Sequence, residues 1–135
     1  MMRYVLDTNA VIQLVSRKSD GLVRLILEKR EGEIGISSVV AHELYFGVYK
    51  SQKISFNLEA LRLLLLDFPI LEFDQEDARV SGELRSTLAQ AGLPIGPYDV
   101  LIAGQAKARD LIVITNNVRE FQRVEGLKVE DWTTI

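Results

Sequence analysis

The chain contains no cysteine and a single histidine, His42. That excludes disulfide staples, thiolate metal sites, a cysteine nucleophile and any multi-histidine zinc site. A metal bound here would have to be held mainly by oxygen, which favours magnesium, manganese or calcium. The absence of cysteine also fits a reducing compartment, so the protein is expected to be cytoplasmic. No long apolar run is present either: the richest stretch, Leu61 to Leu71, is broken by Arg62, Asp67 and Pro69 and is too short to cross a bilayer. The amino terminus shows no signal peptide pattern, so no membrane association is expected. Positive charge is in deficit as well. A formal net charge of −3 argues against holding nucleic acid on a broad basic face, although it leaves room for an enzyme that brings a cation to a phosphodiester.

What is present is ordinary globular material. The 135 residues, 47% of them hydrophobic and 26% charged, are enough for one domain with its own core, spanning residues 1–135. Tyr4-Val5-Leu6 reads as a short apolar strand. Helical spacing begins at Asn9 to Val15 and continues through Leu22, Val23, Ile26 and Leu27 until Gly32. Glu33 to Ile36 reads as a second strand, after which Ser37 and Ser38 offer a cap for the helix of Val40, Leu44 and Val48. Leu58, Leu61, Leu65 and Phe68 mark another helix, closed by Pro69, and Ile70 to Phe73 a third strand. Asp74 is placed to cap a helix carrying Val80, Leu84 and Leu88, which Gly92 ends. Pro97 suits the first turn of a helix reaching about Arg109. Leu111 to Thr115 has the continuous apolarity of a strand covered on both faces, and a last strand falls within Leu127 to Trp132. Strands alternating with helices predict an α/β fold: a mainly parallel sheet of four to five strands between two helical layers.

In such sheets ligands bind beyond the carboxyl ends of the strands. Asp7 leaves the first strand there, and Thr115, Asn116 and Asn117 leave the strong fourth strand at the same edge. Asp7 reads either as a turn or cap aspartate or as a metal ligand. Glu43 is flanked at helical spacing by Val39, Val40, Phe46 and Gly47, so its carboxylate either meets a cation or donor or reaches solvent from the edge of an apolar face. Asp99, in the first turn of its helix, is either a dipole-stabilised ligand or an ordinary first-turn acid. Glu120 either points back to the rim or pairs with Arg119, Arg123 or solvent. His42 reads as a packing or capping residue. Clustered carboxylates at one rim repel each other and persist where a divalent cation neutralises them, a setting for metal-assisted phosphodiester hydrolysis. No serine–histidine–acid arrangement is apparent, and "DTNAVI" after the first strand lacks the glycines of a phosphate loop.

Taken together, "YVLDTN", "ISSVVAHELYFGV", "PIGPYDVLIAGQAKARDLIVITNNVREFQRV" and "GLKVEDW" resemble a PIN-domain ribonuclease, and more narrowly the VapC-type toxins of bacterial toxin–antitoxin pairs. The likeness runs over nearly the whole chain; residues 51–90 carry least of it. It implies a Mg2+- or Mn2+-dependent endoribonuclease acting on structured RNA, transfer RNA foremost. Asp7, Glu43 and Asp99 match the family's acidic residues, with Asp7 and Asp99 as metal ligands; Thr8 and Asn9 match the polar pair behind the first aspartate, and Thr115 the hydroxyl residue ending the fourth strand. Many relatives carry an aspartate within the segment matching "TNNVREF". Here Asn116 and Asn117 are amides, so Glu120, with Asn117 beside it, is the candidate for the fourth position, and one metal is a safer expectation than two. The resemblance also implies a homodimer with two acidic sites in a groove, closed by the tail of a small VapB-like antitoxin. The apolar "FNLEALRLLLLDF" is either a surface for such contacts or a core-facing helix, and Lys50, Lys53, Arg85 and Arg119 are candidate grips on RNA. Among competing readings, an aspartyl phosphatase wants an aspartate where Asn9 stands, and a receiver module wants an acidic pair that is missing. A PIN fold used only for binding would not need Asp7, Glu43 and Asp99 together.

Overall fold

In a computed structural model, which describes residues 1–133, five parallel strands form one sheet in the order β3-β2-β1-β4-β5. They are β1 (Tyr4–Leu6), β2 (Ile34–Ser37), β3 (Ile70–Leu71), β4 (Ile112–Ile114) and β5 (Lys128–Glu130). The helices between them are α1 (Thr8–Ser16), α2 (Asp20–Glu28), α3 (Ser38–Tyr49), α4 (Ile54–Leu65), α5 (Gln75–Gln90), α6 (Pro97–Ala108) and α7 (Val118–Phe121). With the right-handed crossovers that are the rule in parallel sheets, this strand order puts α1 to α4 over one face and α5 to α7 over the other. The α/β class and parallel sheet expected from the sequence are therefore what the chain adopts. β1 and β2 are buried along their whole length, as both-face coverage requires. Among the described residues, no helix is long and apolar enough to cross a membrane.

Several boundaries differ from the sequence reading, each for a local reason. The helical spacing from Asn9 to Gly32 is not one helix. Arg17 adopts a left-handed conformation (φ 53°), and Ser19 then accepts the Leu22 N–H at 3.2 Å to cap a new helix, which stops at Glu28. The fourth helix starts earlier, at Ile54, and its regular turns end at Leu65, short of Phe68. Only Ile70 and Leu71 of the third strand pair with β2, because Phe73 N–H turns aside to the Ser38 hydroxyl. Ser37 and Asp74 do act as caps, the latter in a reciprocal box with Asp77. Gly92 closes α5 at φ 71°, a conformation costly for any residue with a Cβ.

Two features fix α6, and neither is visible in hydrophobic spacing. Gly104 lies so close to α5 that a Cβ there would sit 2.4 Å from the Cβ of Ser81 and 2.6 Å from its Cα. Beneath this crossing, Asp77 is buried and accepts from Arg109 Nη2 at 2.8 Å and from Gln105 Nε2 at 3.1 Å. Burial pushes the Asp77 carboxyl up, but bonds from Arg109, the Asp74 N–H and Gln105 more than offset it, leaving it below its ordinary value. Arg109 also donates to the Glu72 carbonyl, so one guanidinium ties α6 to α5 and to the end of β3.

Candidate active site

The sheet order reverses between β1 and β4: the chain leaves β1 toward β2 and later returns across the sheet to β4. A crevice beyond the carboxyl ends of the strands is expected at such a switch point. Leu6 pairs with Ile114 there, so the next residues, Asp7 and Thr115, come out side by side. Asp7 is 2% exposed and both of its oxygens are committed. Oδ1 accepts the Ala10 N–H at 2.8 Å, capping α1, and Oδ2 accepts the Thr115 hydroxyl at 2.5 Å. The same Thr115 oxygen accepts the Asn117 N–H at 2.9 Å, which holds the loop after β4. Asp7 is thus a helix cap and a rim carboxylate at once, and the two readings of the sequence are not exclusive.

Glu43 reaches the rim from α3, where the Thr8 hydroxyl donates to its Oε1 at 2.6 Å. Asn9 behaves otherwise: it is exposed and takes no part in this hydrogen-bond network, so bracing comes from Thr8 and not from the pair. On the far side Glu120 is fixed twice. The Gly96 N–H donates to Oε1 at 2.5 Å, and the Asn117 amide donates to Oε2 at 3.0 Å. These two bonds, the backbone one foremost, hold the Glu120 carboxyl below its ordinary value. Asp99, half-buried in the first turn of α6, shares a side-chain hydrogen bond with Glu120. Asn117 and Glu120 thus meet at this position, the amide orienting the carboxylate.

Electrostatics sets these groups apart from surface acids. Burial raises the Asp7 carboxyl to about 6, with the charges of Glu43 and Asp131 adding to it against the pull of Thr115 and the Ala10 N–H. Burial likewise raises Asp99 to about 7, reinforced by Glu120, Asp7 and Glu43. Asp99 thus feels the charge of the other three carboxylates, and the charge at the centre calls for a cation. Among the described residues no three acidic or histidine side chains close into a ready cage. The donors are all oxygens, and one or two carboxylates with water completing the shell is the coordination Mg2+ prefers. The residues present fit such an ion at an open site.

Two contributors escaped the sequence reading. Gly96 has no side chain for a sequence pattern to register, although its N–H anchors Glu120. Asp131 lies just beyond β5, where its carboxylate accepts from the Thr133 N–H at 2.8 Å and adds to the field at Asp7. Its place in the closing "EDW", directly after an alternating strand, was the available signal.

Comparison with known proteins agrees with this geometry. The PIN domain family matches residues 4–127. The chain is 41% identical to the tRNA(fMet)-specific endonuclease VapC of Shigella flexneri, over 98% of this chain and all of that one. Its fold superposes with a TM-score of 0.92 on the DNA-bound VapBC structure from Salmonella typhimurium, at 37% identity over 98% of this chain and 99% of that one. The VapBC2 structure from Rickettsia felis, bound to a promoter DNA fragment, superposes with a TM-score of 0.87 at 36% identity, covering 97% and 99% of the two chains. The chain belongs to the PIN-domain family, in its VapC ribonuclease branch.

Proposed function

We propose that this protein is a VapC-type toxin: an endoribonuclease, dependent on Mg2+ or Mn2+, that hydrolyses phosphodiester bonds of transfer RNA in the cytoplasm and is restrained by a VapB-like antitoxin. The observation that carries the reading is the convergence of Asp7, Glu43, Asp99 and Glu120 on one rim, with Asp7 and Asp99 raised to about 6 and 7. Relatives named as tRNA(fMet)-specific endonucleases, and neighbours solved as VapBC complexes, support the substrate and the partner.

A divalent cation bound here would orient water and stabilise charge on the attacking and leaving oxygens. The protein's part is to build the place for it. Asp7, immobilised through both oxygens, and Asp99 are the ligands; the cation's charge would favour the ionised form of both. Glu43, oriented by Thr8, aligns or deprotonates the attacking water. Glu120, held by Gly96 and Asn117, faces Asp99 and completes the acidic rim opposite Asp7. Hydrolysis in this arrangement leaves a 5′-phosphate. As in the resemblance, the working form is a homodimer with two such sites.

The test is incubation of the purified protein with total RNA, with Mg2+ or with chelator, followed by mapping of new 5′ ends. Cleavage should require the ion and vanish in Asp7→Asn and Asp99→Asn. Undiminished cleavage by either variant would sink the assignment.

A further inference from the structure

Two of the helices that bring a carboxylate to the rim carry a ring one position earlier. His42 precedes Glu43 on α3, and Tyr98 precedes Asp99 on α6. The two rings meet across the helices, with centroids 5.7 Å apart and planes inclined by 37°. Neither is packed away: His42 is exposed and Tyr98 is 43% exposed. The pair therefore forms an open aromatic shelf at the flank of the Glu43–Asp99 side of the site. It does not end there. Tyr45, Phe46 and Tyr49, all exposed, follow His42 at three, four and seven residues, so they continue along the same side of α3 for roughly 10 Å. At the far end Lys50 Nζ stands 4.8 Å over the Phe46 ring.

An RNA strand approaching this site faces a net-negative protein and a rim of carboxylates, so its phosphates are repelled except where a cation intervenes. Affinity must then come from elsewhere, and unpaired bases offer it through stacking on aromatic faces. We propose that the His42–Tyr98 pair is a stacking platform for an unpaired nucleobase next to the scissile phosphate, with Tyr45, Phe46 and Tyr49 extending the track. The proposal rests on the ribonuclease reading above. Four of the five rings, all but Phe46, carry a polar edge, so a base can stack on their faces while its own edges stay wet. Aliphatic surface lies elsewhere, in a groove of about 360 Å³ on the other flank of Glu43, lined by Ile12, Val15, Leu44, Val48, Leu61 and Leu64.

The test measures binding of a labelled single-stranded oligoribonucleotide to the Asp7→Asn protein, together with steady-state cleavage of transfer RNA by the otherwise wild-type enzyme. Tyr98→Leu and His42→Leu should each weaken binding by about ten-fold, the scale of one lost base stack. They should raise KM and leave kcat largely intact, whereas Tyr98→Phe should bind like its parent. Tyr98→Trp should show fluorescence quenching when the oligomer is added. Unchanged affinity in Tyr98→Leu overturns the proposal. So does a change confined to oligomeric state by light scattering, which would give the strip to a second copy of the chain. Failure of the ribonuclease reading looks different: the wild-type protein would cleave no RNA and the Asp7→Asn parent would bind none, before any ring is altered.

Discussion

The Thr115 hydroxyl donates to Asp7 Oδ2 at 2.5 Å, joining residues 108 positions apart across the seam between β1 and β4. This bond aims a buried carboxylate whose other oxygen is already spent on capping α1. Thr115→Val keeps the shape and removes the donor. We expect kcat to fall about ten-fold, near the worth of one hydrogen bond to a charged group. Thr115→Ser should restore most of it in single-turnover cleavage assays.

Ion-free protein should be less stable at neutral than at mildly acidic pH as far as the rim is concerned. Asp7 and Asp99 are raised to about 6 and 7, so the folded state holds protons that the unfolded chain has already released. Their contribution is fully present below the ordinary aspartate value of about 4 and is lost as pH rises through 6 and 7. Thermal unfolding of Asp99→Asn should show a flatter dependence between about pH 4 and 7.5 than wild type. Added Mg2+ should recover stability in wild type at pH 7.5 and far less in the variant.

Glu120→Gln should lower the Asp99 carboxyl toward its ordinary range, because Glu120 raises it both by charge and by the shared hydrogen bond. Carbon-detected NMR titration of the ion-free protein reads this directly. An Asp99 midpoint still near 7 in the variant would contradict the pairing described here.

Arg109→Leu leaves Asp77 buried with its main partner gone. The expected cost is about 3 kcal/mol, the lower end for breaking a buried pair since Arg109 itself is partly exposed. Because the Asp77 carboxyl lies below its ordinary value, its stabilising part belongs to neutral pH and fades under acid. Urea unfolding at pH 7 and at pH 3.5 should therefore show a smaller gap between variant and wild type at the lower pH.

Gly104→Ala puts a methyl 2.4 Å from Ser81 Cβ and 2.8 Å from its backbone nitrogen, which cannot swing aside as a long side chain would. A loss of about 2 kcal/mol is expected from forcing α5 and α6 apart, measurable by urea unfolding.

Much of the fold was legible because its signals are local. Continuous apolarity marked β1 and β4, Ser37 and Asp74 stood at helix starts, and Gly92 stood at a helix end. The helix break at Arg17 was not, since the apolar spacing runs on across it and only the Ser19 cap reveals the restart. At the site, Asp7, Glu43 and Asp99 stand out by residue type against their surroundings. The role of Gly96 did not, because a backbone N–H leaves no trace in a side-chain pattern, and Asp131 needed the β4–β5 register to reach Asp7.

By itself, then, the sequence determined the alternation of strands and helices and the chemical character of the rim: carboxylate oxygens, no sulfur, one histidine. Periodicity and residue type are properties of neighbours along the chain. Tertiary structure alone decided which oxygen of Asp7 is held by Thr115, that Glu120 faces Asp99 while Asn117 orients it, and that His42 meets Tyr98. Those are distances between residues remote in sequence, and only strand order and helix crossing set them.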